Sequence, residues 1–360
     1  ILRTALTVVG GEDLYRGYGD APGRIRIRAS GDGGYVPPRR GPWTDAPDGV
    51  DVLLDRALIR KTFPTYANDV ATVIHIRRAG SISAQQMGQF MLESMREHGI
   101  RVHRADVRSI EAASPFAIGL DSPQGREVLE ADRVVNAAGP FAGDVAAMLG
   151  ERLPVRCVYQ QKISFEDREG AIPRDMPFTI DLDAQAIAWS AEDRDVLSSD
   201  PDTRHLVHMM PGGIHCRPDG APDGAWIKIG WAYNERATDP HADEPIDPHF
   251  PDVVLRAASR LHPGLATYIG RLPRGAHHYG GYYTMTDENW PLVGAMDTTG
   301  AFEAVALSGY GSMAACATGA LCAAWAANAP LPPYARSLSR ERYRDAALMA
   351  DLATRSKGSL

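Results

Sequence analysis

Hydrophobic and polar positions follow a strand–helix–strand pattern after residue 70. Residues 73–77 alternate as a strand does, and Ser83 then begins a helix, with Gln86 three residues later as in a capping box. Gly99 ends that helix, and residues 100–107 predict the next strand. Four apolar residues recur on one face of the helix: Met87, Phe90, Met91 and Met95. This order of elements is typical of α/β proteins.

Two later segments place a glycine turn between a strand and a helix. Residues 133–150 predict a buried strand, a turn at Gly139 and a short helix. Residues 302–328 repeat this order, with the turn Ser-Gly-Tyr-Gly at residues 308–311. Residues 151–280, between them, contain strand-like pieces and long loops, as a substrate domain does. The charged tail after residue 330 is expected to be peripheral.

Composition narrows the class of protein. The 360 residues are 44% hydrophobic, which is enough for a large core and two domains. A net charge of −7 with scattered basic residues argues against nucleic acid as a partner. The small and apolar run Ala314–Ala327 is too short to cross a bilayer. The chain begins at Ile1 in what reads as mid-domain sequence, so we expect residues missing upstream. The four cysteines predict free thiols in a reducing compartment, and we expect a cytoplasmic protein.

The two glycine turns predict a ligand site. Glycine lets a ligand approach the backbone, and a helix N-terminus offers free N–H groups and a partial positive charge. Ligands of α/β sheets bind at the carboxyl ends of the strands. Either turn alone reads equally well as an ordinary strand-to-helix connection, but together they could hold a large anionic cofactor.

Several segments resemble the D-amino-acid oxidase and sarcosine oxidase superfamily of FAD-dependent oxidoreductases. The segment VVNAAGPFAGDVAAMLG is similar to its flavin-contacting strand, and residues 77–111 match the helix and strand before it. YGGYYTMTDENWPLVGAM and ALSGYGSMAACATGALCAAW are similar to its C-terminal signature. The resemblance covers roughly residues 50–345.

The resemblance implies a mixed α/β fold. A Rossmann-like FAD-binding domain (residues 75–150 and 285–345) would interleave with an antiparallel-sheet substrate domain (residues 25–74 and 151–284). The family's N-terminal βαβ unit with its GxGxxG fingerprint is not recognisable. The glycines of this region do not follow a strand at that spacing: Gly10, Gly11, Gly17 and Gly19.

The resemblance also implies the cofactor site. Val107 would meet the adenine of FAD, and the two glycine turns would line the rest of the cofactor. Those turn residues are Ala137, Ala138, Gly139, Gly309, Tyr310, Gly311, Ser312 and Met313. Gly281 replaces the cysteine that tethers flavin in sarcosine oxidases, so FAD would bind non-covalently. Met313 replaces their oxygen-activating lysine, which leaves open whether oxygen or another carrier accepts the electrons.

Candidate substrate contacts are Tyr282, Tyr283 and Lys162. The tyrosines lie where related enzymes place side chains over the flavin, although buried strand tyrosines would look the same in sequence. Lys162 could neutralise a substrate carboxylate or be a solvated edge lysine. Three nearby histidines lack metal-ligand spacing: His205, His208 and His215.

The function that the resemblance implies is oxidation of the C–N bond of an amine or amino acid. Hydride would pass to the flavin, the imine would hydrolyse, and oxygen or another acceptor would reoxidise the cofactor. Two alternatives stay open: a non-catalytic or truncated flavoprotein-like subunit, and 2-hydroxy-acid oxidation on the same fold. The expected partner is a small molecule, with a homo-oligomer or a partner subunit left open.

Overall fold

The computed structural model of the protein describes residues 17–31, 33–39, 41–221 and 223–354. Two of the N-terminal glycines, Gly10 and Gly11, lie outside these residues. The other two, Gly17 and Gly19, have φ angles of 79° and 134° and lie just before the first strand. No helix in the described part of the chain has the length and apolar character that a membrane span requires.

Strands and helices alternate along the chain in a mixed α/β order. The strands are β1 (Ile25–Arg28), β2 (Val50–Leu53), β3 (Val73–Ile76), β4 (Asp106–Glu111), β5 (Phe116–Ser122), β6 (Gly125–Ala131), β7 (Val134–Asn136), β8 (Arg156–Glu166), β9 (Thr179–Asp181), β10 (Gln185–Ala186), β11 (Met209–Met210), β12 (Ile214–Pro218), β13 (Trp226–Gly230), β14 (His277–Met285), β15 (Leu292–Ala295) and β16 (Ala301–Val305). The helices are α1 (Arg56–Thr62), α2 (Ala84–Glu97), α3 (Ala142–Met148), α4 (Ala191–Ser199), α5 (Phe250–Ser259), α6 (Gly311–Ala326) and α7 (Ala346–Thr354).

An antiparallel sheet of five strands, in the order β14-β8-β13-β12-β9, holds the largest core. Alternate residues of its strands, such as Ile163, Phe165 and Ile227, are completely buried on one face. Phe250 and its neighbours on α5 pack in the same core, together with residues of α1 such as Ile59. The period-two side-chain alternation of strands thus leaves the other face of this sheet free for polar residues.

A three-stranded sheet, β15-β16-β7, carries helices on its two sides. Residues of α3, including Ala142 and Ala146, share a core with Leu292 of β15. Residues of α6, including Leu321, pack in a different core with Phe302 of β16. The strands β7 and β16 run parallel, which is the arrangement expected of an α/β unit with helices on both faces. The other three-stranded sheets are β1-β2-β3 and β4-β5-β6.

Helix α2 forms where the sequence predicts it but does not pack as the pattern indicates. The Ser83 side chain caps it by accepting a hydrogen bond from the Gln86 N–H at 3.2 Å. None of its side chains is buried, and Phe90 is 71% exposed. Val135 of β7 is 48% exposed as well, so the strand that the sequence predicts as buried is only partly so.

The C-terminal tail is not peripheral, contrary to the expectation from its charge. Arg342 is fully buried and pairs with Glu288. Arg340 pairs with Glu151 and, at 2.8 Å, with Glu303, which is also fully buried. Burying charges requires such pairing, and the pairs attach the tail to the β15-β16-β7 sheet.

Candidate functional site

Two glycine turns meet at one edge of the three-stranded sheet. Asn136, the last residue of β7, lies opposite Glu303 in the parallel strand β16. The carboxyl ends of both strands therefore point the same way, and the turns after them lie side by side. Each turn is a single turn of 3₁₀ helix, Gly139–Phe141 after β7 and Ser308–Tyr310 after β16.

The first turn is shaped by the buried side chain of Asn136. Its amide nitrogen donates to the Ala142 carbonyl at 2.8 Å, and its oxygen accepts from the Ala138 N–H at 3.3 Å. Gly139 has a φ of 56°, in the left-handed region that favours glycine. The asparagine thus holds the backbone in a tight bend directly after the strand.

The second turn contains backbone conformations that are unfavourable for its residues. Ala306 and Ser308 have φ angles of 62° and 51°. Each such residue costs on the order of 1 kcal/mol, and outliers of this kind cluster at ligand sites. Helix α6 starts immediately afterwards, and the side chain of its N-cap residue, Tyr310, makes no capping hydrogen bond. The first N–H groups of α6 are therefore oriented toward the turn without a side-chain cap.

Three glycines border open space around these turns. A Cβ atom added to Gly139, Gly281 or Gly311 would meet no atom of the described residues within 4 Å. Gly281 lies on β14, and this strand contacts both turns. Side chains therefore leave the backbone of three neighbouring elements uncovered at these positions, where a ligand could approach it closely.

The strands β8 and β14 add polar side chains to this site. Lys162 of β8 donates a hydrogen bond to the Tyr283 hydroxyl at 3.3 Å. Its ammonium nitrogen also lies 5.5 Å from the centre of the Tyr283 ring. Tyr283 in turn lies close enough to Tyr310 for the two side chains to interact electrostatically. The structure therefore brings together three predicted site residues, Lys162, Tyr283 and Tyr310.

Tyr282 lies on the opposite face of the sheet from this group. Its ring packs edge-on against Tyr159, with 5.1 Å between the ring centres. Its hydroxyl is enclosed and has no hydrogen-bond partner among the described residues, and desolvation raises its pKa. Neighbouring residues of a strand point to opposite faces, so the two adjacent tyrosines do not share one site.

The polar face of the five-stranded sheet carries an unbalanced positive charge. Asp219 pairs with Arg217 at 2.8 Å and with Lys228 at 3.4 Å. Both cations hold the pKa of Asp219 below its usual value, although desolvation opposes them. Lys162 has no carboxylate within ion-pair distance among the described residues. It is half-buried, so an anionic ligand would gain from pairing with it.

The remaining predicted cofactor residues are more exposed. Val107 lies on β4, in a different sheet, at a bulge in the strand pairing, and is 39% exposed. Met313 is 66% exposed in the first turn of α6. Ala137 and Ser312 are also exposed, whereas Ala138, Gly309 and Gly311 are half-buried. The roles of these residues stay predictions.

His215 lies near Lys162 in the site, which the sequence did not predict. His215 of β12 is 8% exposed, and burial lowers its pKa to about 4. It appears in the sequence analysis only as part of a histidine cluster without metal spacing. The described residues contain no group of His, Cys, Asp and Glu that could hold a metal ion. Strand register, which the sequence does not reveal, is what places His215 beside Lys162 across Gly230.

Comparisons with known proteins identify the family of the chain and related folds. A family model described as DAO, FAD dependent oxidoreductase, matches residues 40–325. No curated protein matches the chain. Glycine oxidase from Geobacillus kaustophilus has a similar structure, with a TM-score of 0.56 and 18% identity over 81% of this chain and 67% of that chain.

Two further solved structures share the fold at low identity. L-proline dehydrogenase from P. horikoshii has a TM-score of 0.58 and 16% identity, over 82% of this chain and 69% of that chain. Iminodiacetate oxidase from Chelativorans sp. BNC1 has a TM-score of 0.58 and 19% identity, over 81% of this chain and 66% of that chain. The chain thus spans about two thirds of the length of these proteins.

Proposed function

The chain belongs to the family of FAD-dependent oxidoreductases, and from that premise we propose that it oxidises the C–N bond of an amine or amino acid. The observation that carries the proposal is the meeting of two glycine turns beside the open backbone of β14 at Gly281. We assign cofactor binding to residues 75–150 and 285–345, and substrate binding to residues 25–74 and 151–284.

Non-covalent FAD fits the residues that are present. Gly139, Gly281 and Gly311 leave room for a large planar group, and Gly281 offers no thiol for a covalent bond. The N-terminus of α6 favours negative charge on whatever lies against it. When bound, FAD would supply the acceptor for a hydride from the carbon next to the substrate nitrogen.

Lys162 binds the carboxylate of the substrate in this proposal. Its ammonium group is half-buried and lacks a carboxylate partner among the described residues, while the Tyr283 hydroxyl accepts one of its hydrogen bonds and so orients it. The related structures are named for glycine, L-proline and iminodiacetate. Each of these compounds has a carboxylate close to a C–N bond, as this arrangement requires. The position of Tyr282 favours packing over substrate contact.

A visible absorption spectrum tests the proposal. The purified chain should take up added FAD and show a bound-flavin spectrum, which should bleach under anaerobic conditions with at least one member of a panel of amino acids and amines. The panel should include 2-hydroxy acids, because bleaching by these alone would establish the alternative chemistry on the same fold. A folded chain that takes up no FAD would contradict both chemistries.

A second candidate function is that of a non-catalytic flavoprotein-like subunit. The observation that favours it is the exposed apolar side of α2, where Phe90 is 71% exposed and no side chain of the helix is buried. An additional segment or subunit would cover such a surface. FAD uptake without bleaching by any compound of the panel would support this candidate.

A further inference from the structure

Four residues form one row across the polar face of the five-stranded sheet. Tyr279 of β14 lies opposite Lys162 of β8, which lies opposite Gly230 of β13, which lies opposite His215 of β12. Residues that are paired across strands project to the same face. His215 and Lys162 therefore face the same space, with Gly230 between them.

The glycine allows the two side chains to approach each other. A Cβ atom added to Gly230 would lie 2.5 Å from the Nε2 atom of His215 and 3.0 Å from Cγ of Lys162. The imidazole edge thus lies over the glycine backbone and points toward the lysine stem. Any other residue at this position would force the histidine, the lysine or both to move.

Hydrogen bonding determines which nitrogen of His215 carries the proton. Its Nδ1 lies 3.2 Å from the Gly213 carbonyl, which can only accept, so Nδ1 is the donor. Burial keeps the ring neutral by lowering its pKa to about 4, and the charges of Lys162 and Arg217 act in the same direction. Nε2 is then an acceptor, and it has no hydrogen-bond partner among the described residues.

Aromatic rings flank this part of the row. The Phe178 ring lies 5.3 Å from the His215 ring, and Phe178 is 41% exposed. Tyr279, at the other end of the row, is 37% exposed. The site therefore combines a cation, an unsatisfied acceptor and apolar ring surfaces. This combination suits an aromatic or extended side chain that carries a hydrogen-bond donor.

We propose that His215 determines substrate specificity: Lys162 binds the substrate carboxylate and the Nε2 atom of His215 accepts a hydrogen bond from an O–H or N–H group on the substrate side chain. The proposal rests on the proposed function in placing the carboxylate at Lys162. It names the substrate class as amino acids whose side chain carries a donor. A bound substrate without that donor would cover Nε2 and exclude water from it. Leaving the acceptor unpaired in the complex is unfavourable, so the site discriminates against such substrates.

Binding of two acids that differ by one hydroxyl group tests the proposal without turnover. The probes are 4-hydroxyphenylacetate and phenylacetate, and isothermal titration calorimetry on the purified full chain gives their dissociation constants. Wild type should bind the hydroxylated acid roughly tenfold more tightly. His215→Leu should abolish this preference, whereas His215→Gln, which keeps an acceptor, should retain part of it.

A pair of glycine variants provides the matched control. Gly230→Ala should abolish the preference, because its Cβ displaces the imidazole. Gly275→Ala, whose Cβ would meet nothing within 4 Å among the described residues, should keep it. Circular dichroism checks that each variant is folded.

The outcomes distinguish the role of His215 from the carboxylate site at Lys162. If both acids bind equally well and Lys162→Met weakens the binding of both, the role of His215 is wrong and the carboxylate site stands. If His215→Leu keeps the full preference, the role of His215 is likewise wrong. If neither acid binds to wild type, the carboxylate site fails, and the role of His215 fails with it.

Discussion

The two faces of the five-stranded sheet differ in what their side chains contact, although the same strands form both. On one face, Ile163, Phe165 and Ile227 are completely buried and form the core with α5. On the other face, Lys162 and its neighbours stay polar and face the two glycine turns. Because side chains alternate along a strand, one residue supports stability and the next is available to a ligand. A substitution should therefore change stability on one face and ligand binding on the other.

The largest expected effect is on the core face. Phe165→Ala should lower the free energy of unfolding by about 4 kcal/mol, because a fully buried aromatic side chain is lost and a cavity remains. Urea denaturation of both proteins measures this. Lys162→Met, on the other face of the same strand, should change the free energy of unfolding by less than about 0.5 kcal/mol. A similar loss in both variants would contradict the separation of the two faces.

Acid should destabilise the core through His262. This histidine is 1% exposed, neither ring nitrogen has a hydrogen-bond partner among the described residues, and burial lowers its pKa from 6.5 to about 4. Below pH 6.5 the unfolded chain binds a proton that the folded chain does not, so stability falls as the pH falls from 6.5 to 4. The loss should reach about 3 kcal/mol.

Urea denaturation between pH 7 and 4 follows this loss. The His262→Gln variant lacks this titrating group. Between pH 6.5 and 4 its free energy of unfolding should therefore fall by about 3 kcal/mol less than that of wild type. An unchanged pH dependence would show that His262 is already protonated in the folded protein.

Lys162→Met should weaken binding of phenylacetate by roughly 10-fold to 100-fold, because it removes a half-buried cation that has no carboxylate partner among the described residues. Lys228→Met is the matched control on the same face, since Lys228 already pairs with Asp219 at 3.4 Å. It should change the dissociation constant less than about threefold. Equal effects of the two substitutions would mean that general charge, rather than a site at Lys162, attracts the acid.

The two adjacent tyrosines should give the smallest and most selective effects. Tyr283→Phe removes the hydroxyl that accepts from Lys162, and should weaken phenylacetate binding a few-fold. Tyr282→Phe removes a buried hydroxyl without a partner among the described residues. It should leave binding unchanged and stabilise the fold by up to about 1 kcal/mol. Calorimetry and urea denaturation of both variants measure this, and the reverse pattern would place Tyr282 in the site.

The sequence predicts most local elements of this fold, although residues 100–105, within a predicted strand, form no strand and β4 begins only at Asp106. The capped helix α2 and the strand–turn–helix units around Gly139 and Gly311 follow from local pattern and turn chemistry. The mixed α/β class and the family follow from the order of motifs along the chain. These features depend on residues that are close in sequence.

Features that depend on register or on distant partners could not be predicted. Strand alternation alone predicts that Tyr282 and Tyr283, like His277 and His278, point to opposite faces of the sheet. Only the register of β14 against β8 shows which of these residues share a face with Lys162. The burial of Arg342 depends on Glu288, 54 residues earlier in the chain. The exposure of Phe90 could not be foreseen either, because a helical apolar face predicts burial without naming what covers it.

Hydrogen–deuterium exchange of the purified chain, with and without FAD, tests whether the two glycine turns form the FAD site. FAD should slow exchange in peptides that span residues 136–141 and 306–314 and in the segment of β14 around Gly281. These backbone segments lie at the two glycine turns and on the strand that contacts both of them. Bound FAD that leaves exchange in all three segments unchanged would contradict the assignment of the site.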